Sequence, residues 1–138
     1  MIASLLLPLL MQSAEPPVPS WNCEDPRHQQ EMNSCAARDF EVADERLNAQ
    51  WPITAAAMKA RDADFAAYGA NEYDTREGYF ESLLESQRGW LRYRDAHCRV
   101  EGYYARGGSL EPLLVSTCKA RLTRMRTEEL RALIETER

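Results

Sequence analysis

Four cysteines constrain this chain more than any other feature of its sequence. They are Cys23, Cys35, Cys98 and Cys118, the full set in 138 residues. No two of them have the two-residue gap of a zinc knuckle or a thioredoxin-like redox pair, and neither histidine stands at a metal-site spacing from them. An even number of cysteines in a small exported chain predicts two disulfides. A site of metal-bound thiolates is the alternative for a chain that stays in a reducing compartment.

The first 28 residues are predicted to be an export signal followed by a tether. Residues 2–11 are apolar and residue 14 is a small residue suited to cleavage, so residues 1–14 are expected to form a signal peptide. This apolar run is too short to cross a bilayer, which argues against a stable membrane anchor. The prolines between residues 16 and 19 favour an extended, Pro-rich tether over residues 15–28. The expected location is the periplasm or the medium outside the cell.

From residue 29 onward, apolar residues recur at the three- and four-residue intervals of amphipathic helices. The stripe of the first helix consists of Met32, Cys35, Ala36, Ala43, Leu47 and Trp51. Pro52 should kink this helix, but the alanine-rich residues 53–67 favour a kinked continuation. No stretch alternates with period two for more than a few residues. We therefore predict an all-α domain over residues 29–138, an antiparallel helical hairpin or three-helix bundle with a kinked first helix, braced by two disulfides.

Turn residues divide this pattern into three helices. Residues 68–74 predict a turn, after which Asp74 or Thr75 is expected to cap the second helix. That helix should end between Gly102 and Arg106, and Ser109 should cap the third. The second helix has its broad face at Phe80, Leu83, Leu84, Gln87, Trp90, Leu91, Arg94 and Cys98. The third has its apolar positions at Leu113, Leu114, Thr117, Cys118, Leu122, Met125, Leu130, Leu133 and Ile134.

Antiparallel helices would bring all four cysteines to one end of the bundle. Four cysteines permit three pairings. We favour Cys23 with Cys35, which would pin the tether to the first helix, and Cys98 with Cys118, which would close the Gly-Gly-Ser loop. The competing pair, Cys35 with Cys98, would cross-link two helices instead.

Charge and residue types limit the classes of function. A net charge of -5 gives no general attraction to nucleic acid or to anionic lipid, and it favours a basic protein partner. His97 precedes Cys98, but adjacent helical residues point about 100° apart, so no nucleophile–base pair is expected. Glu31, Asp39 and Glu41 have neither a glycosidase nor a di-metal spacing, and we expect them on a solvated face. The chain is predicted to be no enzyme and to use no cofactor or metal.

Two further expectations concern packing. Trp90, Leu91 and Tyr93 stand at helical spacing and are expected to belong to the core rather than to a recognition surface. Arg94 is expected to pair with a carboxylate on the first helix, Asp44 being the candidate. Such a structural ion pair would fix the register of two helices more than it would add stability.

Several motifs resemble those of a known family. They are residues 30–36 (Gln-Glu-Met-Asn-Ser-Cys-Ala), 43–48 (Ala-Asp-Glu-Arg-Leu-Asn) and 87–98 (Gln-Arg-Gly-Trp-Leu-Arg-Tyr-Arg-Asp-Ala-His-Cys). Together with Cys118 and the segment around residues 122–130, this set resembles the lysozyme-inhibitor LprI-like domain over about residues 22–134. The resemblance implies a small helical exported protein and, for some members, inhibition of lysozyme.

Two hypotheses of function follow. The first is an exported binding protein that inhibits cell-wall hydrolases of the lysozyme type, a basic lysozyme being its partner. The partner-binding residues would be Arg106, Gly107, Gly108 and Ser109, because a rigid loop could fill a cleft that works through two carboxylates. The alternative is a non-enzymatic adaptor or structural protein of the envelope that binds another exported protein.

Overall fold

The computed structural model describes residues 21–135, which form three α-helices and contain no strand. The helices are α1 (Gln29–Asp64), α2 (Tyr79–Gly102) and α3 (Glu111–Glu135). The predicted all-α bundle with two disulfides is thereby confirmed. The predicted signal peptide and residues 15–20 of the tether lie outside the described residues.

The three helices run up, down and up. Near the starts of α1 and α3, Asn33 Nδ2 donates to the Ser109 carbonyl at 2.9 Å. Farther along both helices, Thr54 Oγ1 donates to the Leu130 carbonyl at 3.0 Å, so α1 and α3 run in the same direction. The helix between them, α2, runs antiparallel to both: its first residue, Tyr79, contacts Asp62 at the end of α1, whereas Arg94, farther along α2, contacts Asp44 in the first half of α1.

The first helix continues through Pro52, as predicted from the alanine-rich stretch that follows. It has 36 residues and is therefore about 54 Å long. Pro52 is exposed, and the helix runs on past it for three more turns to Asp64. A single π-helical turn, Phe65–Gly69, then closes α1 and opens the connection to α2.

Two apolar clusters form the core. The larger cluster gathers side chains from all three helices: Leu47, Ala55, Met58, Leu83 and Leu130. The smaller cluster lies around one disulfide and consists of Cys98, Cys118 and Leu122. Trp90 packs against both, which makes this half-buried side chain the link between them.

Buried Arg94 provides a polar contact among the three helices. Its Nη1 lies 3.1 Å from Asp44 Oδ1 on α1, the carboxylate named from the sequence, and 3.3 Å from Thr123 Oγ1 on α3. Its Nε donates to Asp95 at 3.0 Å. The guanidinium also lies over the rings of Phe40 and Trp90. Every buried side-chain N or O atom of the described residues has a hydrogen-bond partner, so none of them adds the free-energy penalty of a buried polar group without a partner.

Both predicted caps are wrong. No side chain of the connecting loop caps α2; its first amides, those of Tyr79 and Phe80, instead donate to the carboxylate of Asp62 on α1, at 2.6 and 3.0 Å. The predicted cap of α3 is wrong because the helix begins at Glu111, directly after Leu110, and the Ser109 hydroxyl accepts no hydrogen bond from an amide of α3 within the described residues.

Some residues assigned to the core from helical spacing are exposed. Leu91 and Tyr93 face solvent on α2, and Met125 and Leu133 do so on α3. Helical spacing thus assigns more residues of α2 and α3 to the apolar face than the neighbouring helices cover.

Candidate functional site

Both disulfides bind together one end of the bundle, here called the braced pole. Cys23 pairs with Cys35 and Cys98 with Cys118, with Cα atoms 5.5 and 5.4 Å apart. This is the pairing favoured from the sequence, and it leaves no free cysteine in the chain. The two bridges differ in environment: Cys98 and Cys118 are fully buried, whereas Cys23 is exposed and Cys35 half-buried.

A buried carboxylate holds the segment that leads into α1. Glu31 accepts the amide N–H of Asn22 at 3.0 Å and that of Arg27 at 2.9 Å. These hydrogen bonds, the one from Arg27 first, hold the pKa of Glu31 below its usual value of 4.5. The expectation that Glu31 lies on a solvated face is therefore wrong, because its side chain turns toward the entering chain. Asp39 and Glu41 are exposed, and Asp39 pairs with Arg124.

The loop between α2 and α3 crosses the braced pole. Its residues Arg106, Gly107, Gly108 and Ser109, the candidate partner-binding residues, are all exposed. Gly107 has φ +76°, in the left-handed region where a side chain is strained. The sequence Gly-Gly therefore permits a tight reversal directly before α3.

Hydrogen bonds hold this loop on both sides. The Gly107 amide donates to Glu111 Oε2 at 2.6 Å, and the Gly108 amide donates to the Ala105 carbonyl at 2.9 Å. The Ser109 carbonyl accepts from Asn33 on α1, and Asn33 Oδ1 accepts in turn from Gln29. An exposed loop is thus fixed to two helices besides being closed by the Cys98–Cys118 bridge.

Aromatic side chains flank the loop. The Arg106 guanidinium lies 4.4 Å from the ring centre of Tyr103, a cation–π contact that directs it along the surface. Tyr104 is 89% exposed, and Val100 one turn earlier is 65% exposed. The loop and its flanking residues therefore present the Arg106 guanidinium, the Ser109 hydroxyl and exposed aromatic and apolar side chains to solvent.

A cluster of metal-ligand types at this pole does not offer a thiolate. Ligand atoms of His97, Glu101 and Cys118 lie within 4.8 Å of one another. The Cys118 sulfur is bonded to Cys98, however, and Glu101 is held by Arg121 at 2.7 Å. His97 stacks on Tyr93 and contacts Glu101 rather than a cysteine. The cluster is an exposed ion-pair network beside a disulfide.

Sequence reasoning missed the roles of Glu31 and Asp62. Asp62 accepts from amides of another helix, a contact that no spacing rule in the sequence records, whereas Glu31 is the third residue of α1, a position from which a carboxylate can reach back to the amides before the helix. A weak signal existed for Glu31, because it stands near Cys23 and Cys35 and their bridge brings residues 22–27 back over the start of α1.

Comparison with known proteins gives three similarities. A protein of Rhizobium meliloti, described as uncharacterized, is 42% identical over 123 residues, which cover 89% of this chain and 84% of the relative. The fold is similar to the crystal structure of a DUF1311 family protein from Pseudomonas putida, with a TM-score of 0.63 and 24% sequence identity. The match covers 84% of this chain and 100% of that protein's chain. That likeness shows a shared fold. The profile of the family described as lysozyme inhibitor LprI matches residues 22–130, and the chain therefore belongs to the lysozyme inhibitor LprI family.

Proposed function

We propose that this protein is exported and inhibits cell-wall hydrolases of the lysozyme type by binding them. The observation that carries the proposal is the match to the lysozyme inhibitor LprI family over residues 22–130. Export is supported by the two disulfides, which persist outside the reducing cytosol. Within residues 21–135, no helix combines the length and the apolar character that a membrane crossing requires.

The loop of residues 106–109 is our proposed inhibitory segment. It is exposed, and its conformation is already held by a disulfide and by hydrogen bonds from both sides. A loop that is ordered before binding loses little conformational entropy when it enters a cleft. A guanidinium at Arg106 suits a cleft that contains an ionised carboxylate.

Net charge supports the same partner class. The chain carries a net charge of -5, and residues 1–14, the proposed signal peptide, contain no charged side chain. Long-range attraction to a basic lysozyme would raise the association rate, and added salt would lower it. We therefore propose a protein partner of positive charge and a function in binding rather than in catalysis.

The test is an assay of lysozyme on cell-wall substrate with the oxidised, purified protein. We expect slower hydrolysis at micromolar protein, and we expect the double substitution Arg106→Ala and Ser109→Ala to remove most of this effect. Arg88→Ala is the matched control, because Arg88 is exposed on α2 far from the loop. No inhibition by the unsubstituted protein would reject the function; equal inhibition by the loop variant would reject only the site.

A role as an envelope adaptor is the second candidate, supported by exposed aromatics at the opposite pole. Tyr68 and Tyr73, in the connection between α1 and α2, are 92% and 86% exposed. Tyrosine is enriched in the energetic centres of protein interfaces. If this candidate is correct, a pull-down from envelope extract should recover one partner with the unsubstituted protein and lose it with the double substitution Tyr68→Ala and Tyr73→Ala. In the lysozyme assay, the unsubstituted protein should then not slow hydrolysis.

A further inference from the structure

A groove runs between α1 and α3, away from both poles. Its volume is about 650 Å³, within the range of about 300–1,000 Å³ of small-molecule sites. On α1 the lining spans residues 46–53, about two helical turns or about 11 Å. A groove of this length suits a small molecule better than a docked helix, which needs a longer strip of contacts.

The floor of the groove is apolar and open to solvent. Ile53 on α1 is 58% exposed and Met125 on α3 is 53% exposed, and both line the groove together with Ala49. Met125 belongs to the apolar positions expected in the core, and the helices leave it uncovered. These side chains thus do not pack into the core. An alkyl or aryl group lying between the two helices would cover them.

The rim of the groove is positive in a chain whose net charge is negative. Three arginines line it (Arg46, Arg124 and Arg131), against one carboxylate, Glu128. Arg124 is held by Asp39, outside the lining, and Arg131 pairs with Glu128. Arg46 is exposed and has no ion pair or hydrogen bond from its side chain within the described part of the chain. Its guanidinium is therefore available to a bidentate anionic group.

We propose that this groove binds an anionic amphiphile, with an alkyl or aryl body over Ile53 and Met125 and a carboxylate or phosphate head at Arg46. Charge selects the head and the apolar floor selects the body. The site is separate from the loop of residues 106–109, so it is independent of the proposed inhibition of lysozyme.

The test titrates the intact, disulfide-bonded protein with three probes of equal chain length, each below its micelle concentration: laurate, dodecyl phosphate and dodecyltrimethylammonium. Amide chemical shifts locate the binding, and calorimetry gives the affinity. We expect laurate, dodecyl phosphate or both to shift amides around Ala49, Ile53 and Met125, and the cationic probe to leave them in place. The tighter anion identifies the head group.

Two substitutions and their controls decide the outcome. Arg46→Glu should weaken binding of the anionic probes at least about tenfold, the effect of losing one charge-assisted pair. Arg92→Glu makes the same charge change on exposed α2 and should leave the affinity within about twofold. Met125→Glu should also abolish binding, whereas Val100→Glu on α2 should not. Equal binding of the cationic probe, shifts confined to another surface, or equal losses in Arg46→Glu and Arg92→Glu would overturn the proposal.

Discussion

Two glycines illustrate how the same residue type has opposite effects at different positions. Gly107 adopts φ +76°, whereas Gly89 lies inside α2 with nothing within 4 Å of a Cβ placed on it. Alanine at Gly107 would be strained by the left-handed backbone, at about 1 kcal/mol. Alanine at Gly89 fills open space and removes backbone freedom from the unfolded chain.

We therefore expect Gly107→Ala to destabilise the protein by about 1 kcal/mol and Gly89→Ala to stabilise it by about 1 kcal/mol. Urea unfolding followed by circular dichroism measures both changes. If the loop binds lysozyme, Gly107→Ala should also weaken inhibition, and Gly89→Ala should leave it unchanged. A stabilising Gly107→Ala would contradict the loop geometry.

Glu31 makes stability depend on pH. Its pKa in the folded protein lies below 4.5, its usual value, so the folded state favours the ionised form. The stabilisation is therefore complete above pH 4.5 and is lost as pH falls through the lowered pKa. Glutamine can accept only through one oxygen, so it cannot serve both the Asn22 and Arg27 amides as the two carboxylate oxygens do.

Glu31→Gln should accordingly lower the urea midpoint at pH 7 and have a much smaller effect near pH 3. Glu41→Gln is the matched control on the same helix, since Glu41 is exposed, and it should change neither midpoint. Asp74 has a pKa lowered to about 2 by Arg76, so its contribution declines as pH falls from 3.8 toward 2, and this decline is common to all three proteins. An equal loss in Glu31→Gln at both pH values would disprove the role of its charge.

At the scale of elements, a side chain of α1 caps the N-terminus of α2. The Asp62 carboxylate accepts the first two amides of α2, and Gly78 makes room for it: a Cβ at Gly78 would lie 2.5 Å from Asp62 Oδ1. The turn between the helices is thus fixed by a contact that crosses it. This cap does in trans what a Ser or Asp at the N-cap does within most helices.

Asp62→Ala should destabilise the protein by about 1 kcal/mol, the usual value of an N-cap. Hydrogen exchange should quicken at Tyr79 and Phe80 and remain slow in the middle of α2. Asp64→Ala is the control: Asp64 is exposed at the C-terminal end of α1, where a negative charge opposes the helix dipole, so its loss should be neutral or slightly stabilising. Unchanged exchange at Tyr79 in Asp62→Ala would refute the cap.

Helix existence could be predicted from the sequence because it depends on local periodicity. The stripe from Ala43 to Trp51, the alanines after Pro52 and the Gly-Gly break after α2 each act within a few residues. The cap by Asp62 and the burial of Glu31 could not be predicted, because each depends on which segments the tertiary fold brings together. Tyr93 and Met125 were misassigned for a related reason: spacing indicates a helical face, but only packing decides how wide a face is covered.

At the scale of the whole molecule, the two disulfides have different tasks. The Cys98–Cys118 bridge belongs to an apolar cluster and joins α2 to α3 inside the bundle. The Cys23–Cys35 bridge lies at the surface and attaches residues 21–28, the described segment before the helix, to α1. Losing the first would open a packed interface, whereas losing the second would leave the segment before α1 held by the hydrogen bonds of Asn22 and Arg27 to Glu31.

Limited reduction should therefore separate the two bridges. A thiol must reach a sulfur atom to break the bond, and only Cys23 and Cys35 are accessible in the folded protein. Under mild reductant, iodoacetamide should label Cys23 and Cys35 first, with helicity retained, and Cys98 and Cys118 only as the bundle unfolds. Replacing Cys23 and Cys35 by serine should cost about 3 kcal/mol on the chain-entropy estimate, and replacing Cys98 and Cys118 should cost more, because packing in the buried cluster is lost too. Mass mapping of the labelled peptides measures the order; equal labelling rates of both pairs would mean that the buried bridge opens without unfolding and would refute this division of tasks.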